Sequence, residues 1–210
     1  MPAVPGARSN LARAAICLKR AERERIRFER PAMTPDDVLT FWFSDGARAH
    51  WFERDDAFDE EVRRDFADAY ENARHGRLSD WEQTPHGLLA LVIVMDQFPR
   101  NMFRGSARAY ESDLDALRLA QSGVAGGFDA ALEPEQKQFL YMPYMHSEAL
   151  AVQDQSLALF APLDVEDAAD YAREHRDIIA RFARFPHRNA ALGRRNTSEE
   201  EAFLASHPGF

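Results

Sequence analysis

Hydrophobic side chains recur along this 210-residue chain at the three- to four-residue spacing of amphipathic α-helices. In one clear case the large apolar residues return every four positions, at Phe58, Val62, Phe66 and Tyr70. The longest apolar run, residues 88–95, is apolar on all sides and is therefore expected inside the domain. Its β-branched residues would also suit a strand. The preceding Thr84-Pro85 has the form of a helix cap and first turn, which favours a central helix.

Capping and stop residues divide the rest of the chain into further helices. Predicted helices begin at Thr34 and Glu133, the second interrupted or kinked by Pro143, and others cover residues 106–122, 146–160 and 164–185. A last short helix has the capping-box pair Thr197 and Glu200. No alternation of strands and turns is present. The sequence therefore predicts an all-α fold, with about eight helices in a single compact domain.

The first 32 residues differ in composition from the rest. They hold eight basic and three acidic residues, a net charge of +5, so with −9 for the whole chain residues 33–210 carry −14. Such an arm could be a targeting peptide, a membrane-surface helix or a nucleic-acid tether, but it lacks the apolar core of a secretory signal. An overextended start with Met33 as initiator is simpler. We expect residues 33–210 to form the helical domain and residues 1–32 to contribute nothing to it.

Charge and composition exclude several classes of function. The acidic body argues against a nucleic-acid partner. The longest apolar run has eight residues, far short of the roughly 18 that cross a bilayer, so no membrane partner is expected. The single cysteine, Cys17, excludes an internal disulfide and fits a reducing compartment. We therefore expect a cytoplasmic protein.

Two similar segments stand where helices are predicted to end, residues 97–101 (QFPRN) and 184–189 (RFPHRN). Each combines an apolar anchor and a helix-stopping proline with an arginine and a turn-forming asparagine. The arginines could simply satisfy carbonyls at helix C-termini. They could also pair with a carboxylate or phosphate. On the second interpretation the ligand-binding candidates, beside Asp96, are Arg100, Asn101, Arg184, His187, Arg188 and Asn189.

Asp96 and His175 interrupt apolar helical faces, where a polar group needs a partner because its burial costs free energy. Asp96 ends the most apolar helix, so its carboxylate needs a cation, for which Arg100 and Arg188 are the natural candidates. His175 follows the spacing of an apolar face and should point inward. A lone histidine of this kind is more often a hydrogen-bonded core residue than a catalyst.

His146, Glu148 and Asp154 complete the catalytic candidates, together with His175. On a helix covering 146–160, His146 and Asp154 would lie on the same face and about 12 Å apart. A ligand or other side chains would fill the space between them. Histidine carries protons near neutral pH, and a carboxylate can act as a base or orient another group. No His-Glu-x-x-His motif or cysteine pair is present, so we predict neither a metal nor an organic cofactor. Five polar residues should converge in space: Asp96, Arg100, His146, His175 and Arg188.

Five segments, long and in a fixed order, carry a family resemblance: Phe41-Trp42-Phe43, Trp51-Phe52, and residues 89–101 (LALVIVMDQFPRN), 139–148 (FLYMPYMHSE) and 175–194 (HRDIIARFARFPHRNAALGR). They resemble the hallmark segments of a bacterial family, domain of unknown function 924, over about residues 36–204. The resemblance implies a tetratricopeptide-like helical fold and no established activity. The chain has no 34-residue period and no regular Trp-Leu-Gly-Tyr signature, which argues against modular peptide binding.

Two functional classes are compatible with these observations. The first is a polar Arg/His/Asp pocket that binds or acts on a small anionic molecule. The second is a non-catalytic, tetratricopeptide-like scaffold for a peptide or protein partner, which fold-level analogy favours. A small-molecule site should be an enclosed polar cavity, whereas a scaffold should expose an apolar groove or patch.

Overall fold

Helices account for all the regular structure in residues 33–207 and 209, the part of the chain described by this computed structural model. The α-helices are α1 (Pro35–Trp42), α2 (Asp45–Arg48), α3 (Asp56–Arg74), α4 (Pro85–Met102), α5 (Asp113–Ala125), α6 (Pro134–Met145), α7 (Leu150–Phe160), α8 (Ala168–Phe182) and α9 (Ser198–Leu204). Short 3-10 helices cover Ser79–Gln83, Ala107–Tyr110, Phe128–Ala131 and Pro186–Arg188. The predicted all-α class is confirmed.

All these helices belong to one compact unit, Pro35–Phe210. The basic arm predicted at residues 1–32 lies outside the described residues, so its expected lack of a role in the fold stays a prediction. Among the described helices, none is long and apolar enough to cross a membrane.

Helix α4 is the centre of the domain and packs against α1, α3, α5 and α6. Its first turn is capped as predicted, since the Thr84 hydroxyl accepts a hydrogen bond from Gly87 N at 3.1 Å. Residues 88–95 are buried on every side, which explains a run without a polar face. Close approach of α5 depends on Gly123, because a Cβ at that position would lie 2.3 Å from a methyl group of Leu88.

Pro99 lies inside α4, which continues to Met102, so the prediction that the proline of the first Phe-Pro segment (residues 97–101) stops the helix was wrong. A helical proline has no N–H for the carbonyl four residues earlier, here that of Met95. Ser112 supplies the missing donor, its hydroxyl lying 2.6 Å from Met95 O. The helix therefore continues to Met102, and Arg100 extends from its last turn.

Other helix boundaries also differ from the prediction. Residues 106–122 do not form one helix: Ser106 caps a 3-10 turn, and α5 follows it. Pro143 lies within α6. His146 is the C-cap of α6 and precedes α7, which begins only at Leu150. Helix α8 ends at Phe182 because the next residue turns into the left-handed region, with φ 57°.

An aromatic cluster fixes α4 against its neighbours. The Trp42 ring of α1 is fully buried and contacts Phe98 of α4 at 5.6 Å and Phe139 of α6 at 5.5 Å between ring centroids. Such edge-to-face pairs add specific orientation to the area they bury. The packing sets the last turns of α4 beside the C-terminus of α6, where the polar side chains of the next section meet.

Candidate functional site

Asp96, near the C-terminus of α4, is a carboxylate with no exposed surface. His146 places Nδ1 2.9 Å from both carboxylate oxygens. Arg100 Nη1, one helical turn further on, lies 3.3 Å from Oδ1. Gln97 Nε2 donates to Oδ2 at 2.6 Å. A buried carboxylate needs such partners to remain ionised, and in return it holds an arginine and a histidine in fixed positions.

Asp113, the first residue of α5, joins Arg100 to Arg188. Arg100 Nη1 lies 3.1 Å from Asp113 Oδ1, and Arg188 Nη1 lies 3.1 Å from Oδ2. The Tyr110 ring faces both guanidinium groups, with centroid distances of 5.8 Å to Arg100 and 4.8 Å to Arg188. The Phe185 ring covers Arg188 at 4.4 Å. The residues joined in this way are called the Asp96 cluster: Asp96, Arg100, Asp113, His146 and Arg188.

His175 of α8 lies beside the Asp96 cluster. It points inward as predicted and is only 5% exposed. Its ring centroid lies 6.2 Å from that of His146 and 5.5 Å from that of Phe185. Its Nδ1 lies 2.8 Å from Tyr171 O, so Nδ1 carries the proton in the neutral ring. The five residues expected to converge therefore lie in one connected region.

Three histidines in this region are neutral near pH 7. Burial, reinforced by the charge of Arg100, lowers the pKa of His146, while Asp96 acts in the opposite direction. Burial places the pKa of His175 well below its usual value. Burial and the charge of Arg188 together lower the pKa of His187 to about 3. Desolvation acts in this direction because it disfavours the charged imidazolium.

The Asp96–His146 pair has one defined proton arrangement. Burial alone would raise the pKa of Asp96, but the charge of Arg100 and the hydrogen bonds from His146 and Gln97 outweigh it, and the pKa lies below its usual value. The ionised carboxylate can only accept, so neutral His146 donates its Nδ1–H and carries a lone pair on Nε2. All the side-chain hydrogen bonds that His146 makes to described residues pass through Nδ1. Its side chain is 14% exposed.

Glu148 anchors the second Phe-Pro segment, a role that sequence alone did not suggest for this catalytic candidate. Its carboxylate accepts from Phe185 N at 2.9 Å and from the two terminal nitrogens of Arg194 at 2.7 and 2.9 Å. Burial would raise the pKa of Glu148, but Arg194 and the Phe185 N–H hold it below its usual value. This carboxylate is therefore committed to holding the turn that carries Arg188.

Replacing Glu148 with glutamine should loosen that turn. Hydrogen bonds to a charged group are worth about 1.5–3 kcal/mol, which corresponds to a loss of about 3–12 °C in the melting temperature of a domain of this size. The matched control is Glu199→Gln, because Glu199 forms an ion pair with Arg181 in which both side chains are more than half exposed. The control should change stability by less than about 1 kcal/mol. Equally small effects in thermal melts of both variants would contradict the anchoring role.

Asp154 lies away from the cluster, so its place among the catalytic candidates is corrected. It is exposed on α7 and accepts from Arg176 Nε at 3.1 Å. The prediction placed His146 and Asp154 on one helical face. That face does not exist, because α7 begins at Leu150, four residues after His146.

Three of the ligand-binding candidates are bound to other parts of the domain. They donate to neighbouring side chains: Asn101 to Asp59 at 2.8 Å, Arg184 to Glu200 at 2.6 Å, and Asn189 to Asn196 at 2.8 Å. These contacts stabilise helix and segment packing outside the Asp96 cluster. His187 remains beside it, with its ring 5.5 Å from that of Phe185.

Nothing in the sequence singles out Asp113 or Tyr110, although both are central to the site. An acidic residue in the first turn of a helix is common because it complements the helix dipole. Tyr110 precedes it without any distinctive spacing. Both residues are central because the start of α5 contacts the segment containing Arg188. Arg188 lies 75 positions after Asp113 in the chain.

The described residues hold no group of three or more His, Cys, Asp or Glu side chains arranged to bind a metal ion. A groove of about 410 Å³ runs between α8 and α9, with Ile178, Phe182 and Phe203 among its lining residues. No residue of the Asp96 cluster lines this groove. The polar cluster and the groove are therefore separate features of the surface.

The fold and the cluster define an all-α protein with a buried Asp–His–Arg network, and comparison places it in a family. Residues 38–208 match a family described as bacterial protein of unknown function (DUF924), and the chain belongs to this family. A solved structure of a protein of unknown function, ATU0120 from Agrobacterium tumefaciens, is 38% identical with a TM-score of 0.79. The match covers 82% of this chain and 97% of that chain. Comparison with curated proteins gives no match.

Proposed function

We propose that the Asp96 cluster binds a small anionic molecule through Arg188. The observation that carries this proposal is the state of the Arg188 side chain. Arg188 is only 5% exposed, yet its guanidinium makes one hydrogen bond to the described residues, to Asp113. Its Nε is buried and has no hydrogen-bond partner among them. A buried N–H without an acceptor is costly, and the planar guanidinium fork is matched best by carboxylate or phosphate oxygens.

The surroundings of Arg188 support a ligand more than a purely structural role. The rings of Tyr110 and Phe185 lie over the guanidinium group of Arg188. Any further hydrogen bond must therefore be donated in the guanidinium plane, by the N–H groups at its edge. Asp113 is shared with Arg100, so one carboxylate serves two cations. An anion of modest size would supply the missing acceptors at the Arg188 edge.

The test is a thermal melt in the presence of inorganic phosphate or succinate at constant ionic strength, with chloride as the reference salt. A ligand that binds only the folded state adds about 2.7 kcal/mol at a hundredfold excess over its Kd, which is about 5–10 °C in this size range. Arg188→Lys keeps the charge but loses the planar fork, so its melting temperature should not respond. Arg181→Lys, at an exposed arginine of α8, should respond like the unmodified protein. A response retained in Arg188→Lys, or absent from the unmodified protein, would contradict the proposal.

A second candidate function, a scaffold for a peptide or protein partner, is favoured by the groove between α8 and α9. The groove combines apolar side chains with charged residues along its sides, including Asp170, Arg173 and Asp177. Absence of stabilisation by both phosphate and succinate would favour this candidate over the anion site.

A further inference from the structure

We infer that His146 is a general base at the Asp96 cluster, where its Nε2 takes a proton from a molecule whose carboxylate or phosphate group is held by Arg188. This inference rests on the proposed anion site and adds to it a reaction class and a substrate class. The substrate is a small carboxylate or phosphate compound that also bears an ionisable proton, on a hydroxyl group or a bound water.

The geometry assigns the two nitrogens of His146 different tasks. Nδ1 lies 2.9 Å from both oxygens of Asp96, a carboxylate with no exposed surface. This contact fixes the ring orientation and keeps the proton on Nδ1. The second nitrogen points away from Asp96 on the other edge of the ring. A histidine used only for packing gains nothing from an oriented lone pair on a side chain that is 14% exposed.

The charges around His146 allow its Nε2 both to accept a proton and to release it. When Nε2 accepts the proton, the imidazolium lies against the ionised Asp96, which stabilises the new charge without taking the proton. Arg100 of α4 forms an ion pair with the same carboxylate, and its positive charge disfavours the imidazolium. His146 can therefore release the proton again. The substrate loses one proton, and Arg188 balances the negative charge that remains on the substrate. The other titratable groups around this site are Asp113, Tyr110, Glu148, and the neutral His175 and His187.

The proton arrangement can be measured directly in the unmodified protein. Two-bond nitrogen–proton NMR correlations distinguish an imidazole protonated on Nδ1 from one protonated on Nε2, and His146→Gln assigns the signals. We expect neutral His146 with its proton on Nδ1 at pH 7. In Asp96→Asn the amide can donate to Nδ1, so the proton should move to Nε2. If that variant does not fold, the spectrum of the unmodified protein still tests the inference.

The accessibility and position of Nε2 can be tested by acylation with diethyl pyrocarbonate, which modifies only unprotonated imidazole nitrogens. At pH 6 an ordinary histidine is largely protonated, whereas His146 should react, as read by peptide mass spectrometry. Phosphate at ten times its Kd should slow modification of His146 about tenfold, because it occupies the adjacent site. The exposed His86 serves as the reference, and phosphate should not protect it.

The outcomes separate this inference from the proposed function. A proton on Nε2, or an unreactive His146 in a protein that phosphate stabilises, would overturn the general base and leave the anion site standing. Modification of His146 that phosphate does not slow would overturn the inference that base and anion share one site. Absence of any effect of both phosphate and succinate in the melts would instead show that the anion site itself is wrong.

Discussion

Replacing Asp96 with alanine should lower the free energy of unfolding by about 3–5 kcal/mol, the usual result of removing one partner of a buried ion pair. The loss leaves Arg100 without one of its two carboxylates, and it leaves the imidazole ring of His146 without its only acceptor among the described residues. In a domain of this size the melting temperature should fall by about 6–20 °C. Thermal and urea-induced unfolding would measure the change.

The matched control is Asp154→Ala, because Asp154 forms an exposed ion pair with Arg176 and should cost less than about 1 kcal/mol. Equal losses in the two variants would show that burial does not make Asp96 special. Double-mutant cycles refine the test, since residues in direct contact are non-additive by about 0.5–3 kcal/mol. Coupling is expected between Asp96 and Arg100, and between Asp113 and Arg188. The sequence also allowed Arg188 as the partner of Asp96, but the structure pairs Arg188 with Asp113.

Acidification from pH 7 to pH 5 should destabilise the protein steeply. The pKa values of His146 and His175 are lowered in the folded state, and that of His187 is lowered to about 3. Below the unfolded-state histidine pKa of about 6.5, the unfolded chain binds protons that the folded protein does not bind. Stability therefore decreases as the pH decreases. Each such histidine contributes up to about 1.4 kcal/mol per pH unit, and for His187 the loss continues down to its folded pKa.

Carboxylates act in a different pH range and can be separated from the histidines. The pKa values of Asp96 and Glu148 are lowered in the folded state. The two carboxylates therefore stabilise the protein fully above their unfolded-state pKa values of about 4, and this stabilisation is lost only at lower pH. Between pH 6.5 and 5 the histidines should therefore dominate. His187→Gln should reduce the slope of unfolding free energy against pH in this range. Equal slopes in the variant and the unmodified protein would contradict the assigned pKa shift of His187.

The helices that the sequence predicted well are those whose signals are local. The all-apolar run in α4, the four-residue spacing in α3 and the capping box of α9 each depend on neighbours within a few positions. Pro99 was misread because its effect depends on Ser112, which supplies the donor that proline lacks. A compensating contact of this kind comes from the residue that precedes another helix, so nothing in the local sequence around Pro99 indicates it.

Of the candidate site, the sequence identified mainly those residues whose burial could be inferred from their position on an apolar helical face. Asp96 and His175 were found because each interrupts an apolar face, and both are buried. His146 was found, but its supposed partner Asp154 depended on a helix that does not extend to His146. Asp113 was not found, since only the packing of distant segments brings it between two arginines.

The separation of the cluster along the chain has a consequence for synthesis on the ribosome. Asp96 and His146 are 50 positions apart, and Asp113 and Arg188 are 75 apart. Such a contact can form only after both of its residues have been synthesised, and closing the long loop between them costs entropy. A nascent chain that has not yet reached position 188 holds Asp113 without one of its two arginines. The complete cluster, and the acid sensitivity that His187 adds, are therefore acquired only when translation of the domain is nearly complete.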